Sequence, residues 1–157
     1  ILGWEQFRRG SDTPSHLLPK LTFDQWAKQA SDGRTSFDWL SRDHAAVDAY
    51  MADPLCGWSP SVGMWQTVFD FIFTGADDRN FASIRKDFPV HLVGGSGDPE
   101  SQFGKAVEML ATRMQRMGFS DVVTTIYPET RHESLNELNR DVIMADFARW
   151  AVRLTGS

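Results

Sequence analysis

The sequence predicts an α/β fold, in which a helical region precedes half of a parallel sheet. Two strand-sized apolar runs, Val90 to Val93 and Val122 to Tyr127, are each followed by a polar turn. A helix-length amphipathic stretch separates them, as a crossover between parallel neighbours requires. A second amphipathic stretch closes the chain, and nothing before about Asp87 alternates in the manner of a strand.

Region one, residues 1–87, carries helix-sized segments punctuated by Pro14, Pro19, Gly33, Pro54, Gly57 and Pro60. It reads as a helical cap. Ser41 or Asp43 is placed to cap a helix at His44 to Met51, and Ser61 to cap another running through Met64 to Phe73. Region two, residues 88–157, begins with the first strand. The stretch from Ser101 to Met117 then puts Val107, Leu110, Ala111 and Met114 on one stripe and stops at Gly118, a natural residue just past a helix end. After the second strand, Arg140 to Leu154 repeats the pattern with Val142, Ile143, Phe147, Trp150 and Leu154. Two parallel strands alone leave unpaired edges, because parallel sheets normally have several strands with both faces covered. Further strands upstream are therefore expected. The absence of an initiator methionine before Ile1 adds the expectation that the chain is a fragment or a processed piece.

Composition excludes several classes of function. With 157 residues, 41% hydrophobic and 24% charged, the chain has the length and balance of one globular domain. A net charge of −5 lacks the basic excess that nucleic acid or an anionic membrane selects. No apolar run approaches a membrane span, so neither nucleic acid nor a membrane-spanning role is expected. The single cysteine, Cys56, excludes an internal disulfide and a cysteine-cluster zinc site, and it fits the reducing cytoplasm. It is expected to be a buried structural thiol.

The chemistry concentrates in two turns. Gly94-Gly95-Ser96-Gly97-Asp98-Pro99 follows the first strand, and Tyr127-Pro128-Glu129-Thr130-Arg131-His132-Glu133 ends the second. Each delivers one titratable residue to the carboxyl end of a strand, where open α/β sheets bind their ligands. An Asp–His pair there would let the carboxylate fix the imidazole tautomer while the other ring nitrogen takes a proton from a nucleophile. Taken singly, Asp98 also fits a plain turn residue and His132 a solvated loop histidine. No G-x-S-x-G nucleophile elbow occurs. Ser96 reads as loop, because its glycines are out of register and its segment already supplies the acid. A phosphate cradle lacks its lysine, and no G-x-G-x-x-G is present. His16, His44 and His91 share no ligand spacing with carboxylates, so no metal and no cofactor are expected; His91 fits a satisfied sheet-face residue. Trp58, Trp65, Phe69, Phe71 and Phe73 could line an acyl-chain tunnel or simply fill a core. Glu133 and Glu137 suit either helix entry or support of the histidine.

These residues resemble the serine hydrolases of the α/β-hydrolase fold that include monoacylglycerol lipases and bacterial lysophospholipases, grouped with the serine aminopeptidase-like hydrolases. Phe37-Asp38-Trp39-Leu40-Ser41-Arg42-Asp43, Val47-Asp48-Ala49-Tyr50 and Asp53-Pro54-Leu55-Cys56-Gly57 look like the cap signature of the lysophospholipase-like branch. Asp98-Pro99 and His132-Glu133-Ser134-Leu135-Asn136-Glu137 look like its acid and histidine motifs. The resemblance implies the C-terminal half of an α/β-hydrolase fold, a helical cap followed by the last two parallel strands and their flanking helices. It further implies Asp98 as triad acid, His132 as general base, and a nucleophilic serine upstream of Ile1. Trp58, Trp65 and Phe69 become candidate lining for a lipid-like or small ester substrate. Alone, the chain is not expected to catalyse acyl transfer. Its expected partner is the N-terminal half of the same protein or a second copy of itself. The competing reading is a noncatalytic module that pairs with another chain through its exposed sheet edge.

Overall fold

The computed structural model describes residues 1–30 and 33–156. Helices α1 (Leu2–Arg9), α2 (Leu18–Leu21), α3 (Phe23–Ala30), α4 (His44–Ala52) and α5 (Val62–Ala76) come first, followed by a 3-10 turn at Asp78–Phe81. Then come β1 (Val90–Gly95), α6 (Lys105–Arg116), β2 (Val122–Tyr127), a 3-10 turn at Ser134–Asn136 and α7 (Arg140–Thr155). The strands pair in parallel, Val90 opposite Val122 and Gly95 opposite Tyr127, and α6 is the crossover that this pairing demands. Among the described residues they form a two-stranded sheet.

The capping residues act as their chemistry dictates. Asp43 accepts the N–H of Ala45 at the start of α4, and the Ser61 hydroxyl accepts that of Met64 at the start of α5. A third support, this one a buried carboxylate, was not anticipated. The Glu5 carboxylate, 1% exposed, accepts the Ser15 hydroxyl and the N–H groups of His16 and Leu17, just ahead of α2. The Ser15 hydrogen bond leads in holding its carboxyl below the ordinary range, against the upward push of burial.

Helix α6 starts at Lys105, four residues later than the expected start at Ser101. Gln102, Phe103 and Gly104 all have positive φ, so the chain must leave the turn after Asp98 before it can wind right-handed. Its other end obeys the sequence: Phe119 N–H bonds to Met114 C=O and Gly118 N–H to Gln115 C=O, with Gly118 at φ 92°. Met114 and Phe119, the two positions that commonly pack together at such a helix stop, are both buried.

Helix α7 departs from its expected stripe. Ile143 is buried, but Val142, Phe147 and Leu154 are largely exposed, because a two-stranded sheet offers too little surface to cover them. His91 and Trp150 do meet across this layer, their rings 5.2 Å apart. Cys56 is half-buried rather than buried; it sits in a surface turn, its N–H bonded to the Asp53 carbonyl, beside the exposed Leu55. No helix among the described residues is long and apolar enough to cross a membrane.

Candidate active site

The parallel register brings both polar turns to one end of the sheet. Gly95 and Tyr127 are opposite each other, and beyond them the turns bond together: Ser96 N–H to the Tyr127 carbonyl, Gly97 N–H to the Thr130 carbonyl, and Glu129 N–H to the Ser96 hydroxyl. The approach is closer than a side chain allows. A Cβ on Gly95 would lie 1.9 Å from the Thr130 carbonyl oxygen, and one on Gly97 would lie 2.6 Å from that of Glu129. The glycines are thus spent on packing one turn under the other, and Ser96 serves as a turn acceptor.

This packing sets Asp98 against His132, with Oδ2 3.4 Å from Nδ1. Asp98 is buried, its Oδ1 accepting the Glu100 N–H at 3.0 Å, while the His132 side chain is 38% exposed. Burial pushes the Asp98 carboxyl up, but hydrogen bonds involving His132 and Ser101 and the Glu100 N–H outweigh it, and the net direction is down. For His132 the Asp98 hydrogen bond leads and raises the imidazole above its ordinary value against burial; Glu100 and Glu133 add to the rise. Nδ1 is occupied by Asp98, which leaves Nε2 as the nitrogen that can exchange a proton at the open side. Asp98, Glu100 and His132 also place ligand atoms within 4.8 Å of one another. A cation there would compete with His132 for the same Asp98 carboxylate.

Aromatic rings back the histidine. The Trp39 ring lies 5.0 Å from that of His132 and 5.1 Å from Trp26, and it stacks on Phe23 at 6.2 Å. From Phe23 the contacts continue to Trp65 at 5.5 Å and on to Phe69 and Phe73. Trp65 is buried and Phe69 half-buried, whereas Phe71 and Phe73 are mostly exposed. Trp58 lies on a separate arm, at a cavity of about 190 Å³ shared with Phe23, Phe37, Trp39 and Tyr50. Its indole N–H is held by the Leu55 carbonyl. Sequence reasoning missed Trp39 and Phe23, the rings that join both arms to His132, because no spacing links residues so distant in the chain.

The segment 38–43 is the least anticipated part of the site. It runs beside the histidine loop: His132 N–H meets the Trp39 carbonyl at 3.4 Å, Glu133 N–H the Leu40 carbonyl at 2.8 Å, and the Ser41 hydroxyl the Asn136 carbonyl at 2.8 Å. Arg131 Nη1 donates back to the carbonyls of Asp38 and Ser41. Glu137, with no exposed surface, sits between the two segments and bonds to both.

Comparison with known proteins gives three findings. A family model described as serine aminopeptidase, S33, matches residues 7–139. A highly thermostable carboxyl esterase from Bacillus coagulans, solved in complex with glycerol, superimposes with a TM-score of 0.81 at 20% identity, over 99% of this chain and 50% of its own. A lipase solved in an open form gives a TM-score of 0.81 at 26% identity, over 99% of this chain and 51% of its own. The chain therefore spans about half the length of these two solved proteins. No curated protein sequence matches it.

Proposed function

The chain belongs to the serine aminopeptidase (S33) family and has the α/β-hydrolase fold, as the C-terminal part of it, and from that premise we propose that it supplies the acid and the base of a carboxylic-ester hydrolase. The observation that carries the reading is the Asp98–His132 contact at the carboxyl ends of adjacent parallel strands. A serine hydroxyl supplied from outside these residues attacks the ester carbonyl, and His132 Nε2 takes its proton. The same nitrogen then protonates the departing alcohol, leaving an acyl-enzyme. Water, deprotonated by His132, attacks the acyl carbon and releases the carboxylic acid and the serine. Asp98 holds the imidazole in the tautomer with Nδ1–H toward it and stabilises the imidazolium that forms twice in the cycle.

The favoured substrates are monoacylglycerols or lysophospholipids. Residues 1–87 serve as the cap over the site, and residues 88–157 as the part of the hydrolase core that carries the acid and histidine. Supporting this, the aromatic contacts run from His132 through Trp39 and Phe23 to Trp65 and Phe69, with Trp58 on the second arm, an apolar lining suited to an acyl chain. The N-terminal half of the same protein, or a second copy, covers the free strand edges, and the protein works in the cytoplasm.

The test is hydrolysis by the full-length protein of a monoacylglycerol, a lysophospholipid and a short-chain ester of p-nitrophenol. All three activities are expected to fall together in H132A, with the long-chain substrates losing selectivity in W65A. Long-chain esters turned over by H132A at the wild-type rate would overturn the reading.

A further inference from the structure

Glu137 is a carboxylate with no exposed surface, and all its acceptor positions are filled from the two segments that meet behind His132. Oε1 accepts the N–H groups of Arg42 at 3.0 Å and Arg131 at 2.9 Å; Oε2 accepts Arg42 Nε at 3.0 Å and the Leu138 N–H at 2.9 Å. Arg131 is the residue immediately before His132. Arg42 lies in the 38–43 segment whose carbonyls receive the N–H groups of His132 and Glu133, and it reaches on to Glu129 and Asn139. Glu137 is fully buried while Arg42 is half-buried, and an ion pair taken largely out of water is seldom the most stabilising way to fill such a space, since apolar residues of similar volume commonly hold as well. What it adds is registry: charged partners with directional donors permit one placement of the loop. That placement matters here because the Nδ1···Oδ2 contact is already long at 3.4 Å, and a small outward shift of the loop breaks it.

We propose that Glu137 is a positioning residue, whose buried carboxylate gathers donors from Arg42, Arg131 and Leu138 and so pins the loop that presents His132 to Asp98. The inference rests on the reading of Asp98 and His132 as acid and base, and it extends that reading to the 38–43 segment. Glutamine cannot replace the carboxylate, because its amide NH₂ would face two N–H donors whichever way it is turned.

The experiment uses the full-length protein with E137Q and R42Q, compared with wild type by fluorophosphonate labelling rate, ester kinetics and NMR titration of the His132 ring. In E137Q the labelling rate and kcat are expected to fall about 100-fold with KM little changed, as for a misplaced catalytic group. The His132 pKa is expected to fall as the Asp98 contact loosens. R42Q separates displacement from simple charge and also serves if E137Q does not fold. Loss of a nearby positive charge would by itself raise the pKa of His132, which faces Asp98, Glu100 and Glu133. Displacement lowers it instead, with labelling slowed about 10-fold or more. Folded variants that keep the wild-type labelling rate and His132 pKa would overturn the inference while leaving the hydrolase reading in place. A wild-type protein that takes no label, beside variants that still lower the His132 pKa, would support the positioning role and remove the hydrolase reading.

Discussion

Asp98 and His132 shift each other in opposite directions, and this fixes what pH does to the site. In the proposed role His132 is a base only when neutral, and the Asp98 hydrogen bond raises its pKa, so the acid limb of kcat/KM is expected above pH ~6.5 in the full-length protein. The Asp98→Asn variant should move that limb to lower pH and cut kcat by about 10⁴-fold, since an amide holds the wrong tautomer. A pH–rate profile of both proteins checks the two effects; a limb unmoved by the substitution would mean that Asp98 does not address the catalytic histidine. Stability follows the same pair. The raised His132 contributes stability that is present below its unfolded pKa, near ~6.5, and lost as pH rises through its folded value. The lowered Asp98 contributes stability that is present above its unfolded pKa, near ~3.9, and lost as pH falls through its folded value. The contact therefore favours the fold most between these limits.

Among the elements, the two turns at the sheet's end meet backbone to backbone, with the Ser96 hydroxyl and the Asp98–His132 contact added, and Gly95 is the position that permits the approach. The Gly95→Ala substitution puts a methyl group against the Thr130 carbonyl and must push the histidine loop away from β1. It is expected to cost about 1–3 kcal/mol of stability, as overpacking does, and to lower kcat as well; unfolding by urea and ester kinetics on the same sample check both. The sequence exposed the strand–turn form of this region and the acid and histidine it delivers, because apolar runs and turn residues are local signals. It also exposed the Asp43 and Ser61 caps and the stop at Gly118, each set by one or two neighbouring residues. It did not expose why the glycines after β1 are there, since the reason is a carbonyl on another turn. Nor did it place Phe37 to Asp43 behind His132 or fill the acceptors of Glu137, for these depend on segments brought together only by the fold. The late start of α6 was hidden because Gln102 and Phe103 are not residues that announce positive φ.

Across the whole molecule, the apolar surface exceeds what this chain covers by itself. Phe7 is 88% exposed, Phe71 71% and Phe73 68%, while α7 turns Val142 and Phe147 outward and each strand has one edge without a strand neighbour among the described residues. Exposed apolar patches mark protein–protein or membrane contact sites, ligand grooves or aggregation liabilities, and the proposed reading takes these as faces that meet another polypeptide. Expressed alone, the 17.8 kDa chain is expected to self-associate, so light scattering should give a mass well above 17.8 kDa. A stable monomer would contradict the account of these faces as buried in the complete protein. The most direct measurement is intact-protein mass spectrometry of the full-length protein before and after a fluorophosphonate probe, for wild type, H132A and D98N. The account predicts one probe adduct on a serine of the wild-type protein and little or none on either variant over the same interval. A wild-type protein that remains unlabelled, or variants labelled as fast as wild type, would contradict the assignment of Asp98 and His132 to a serine hydrolase.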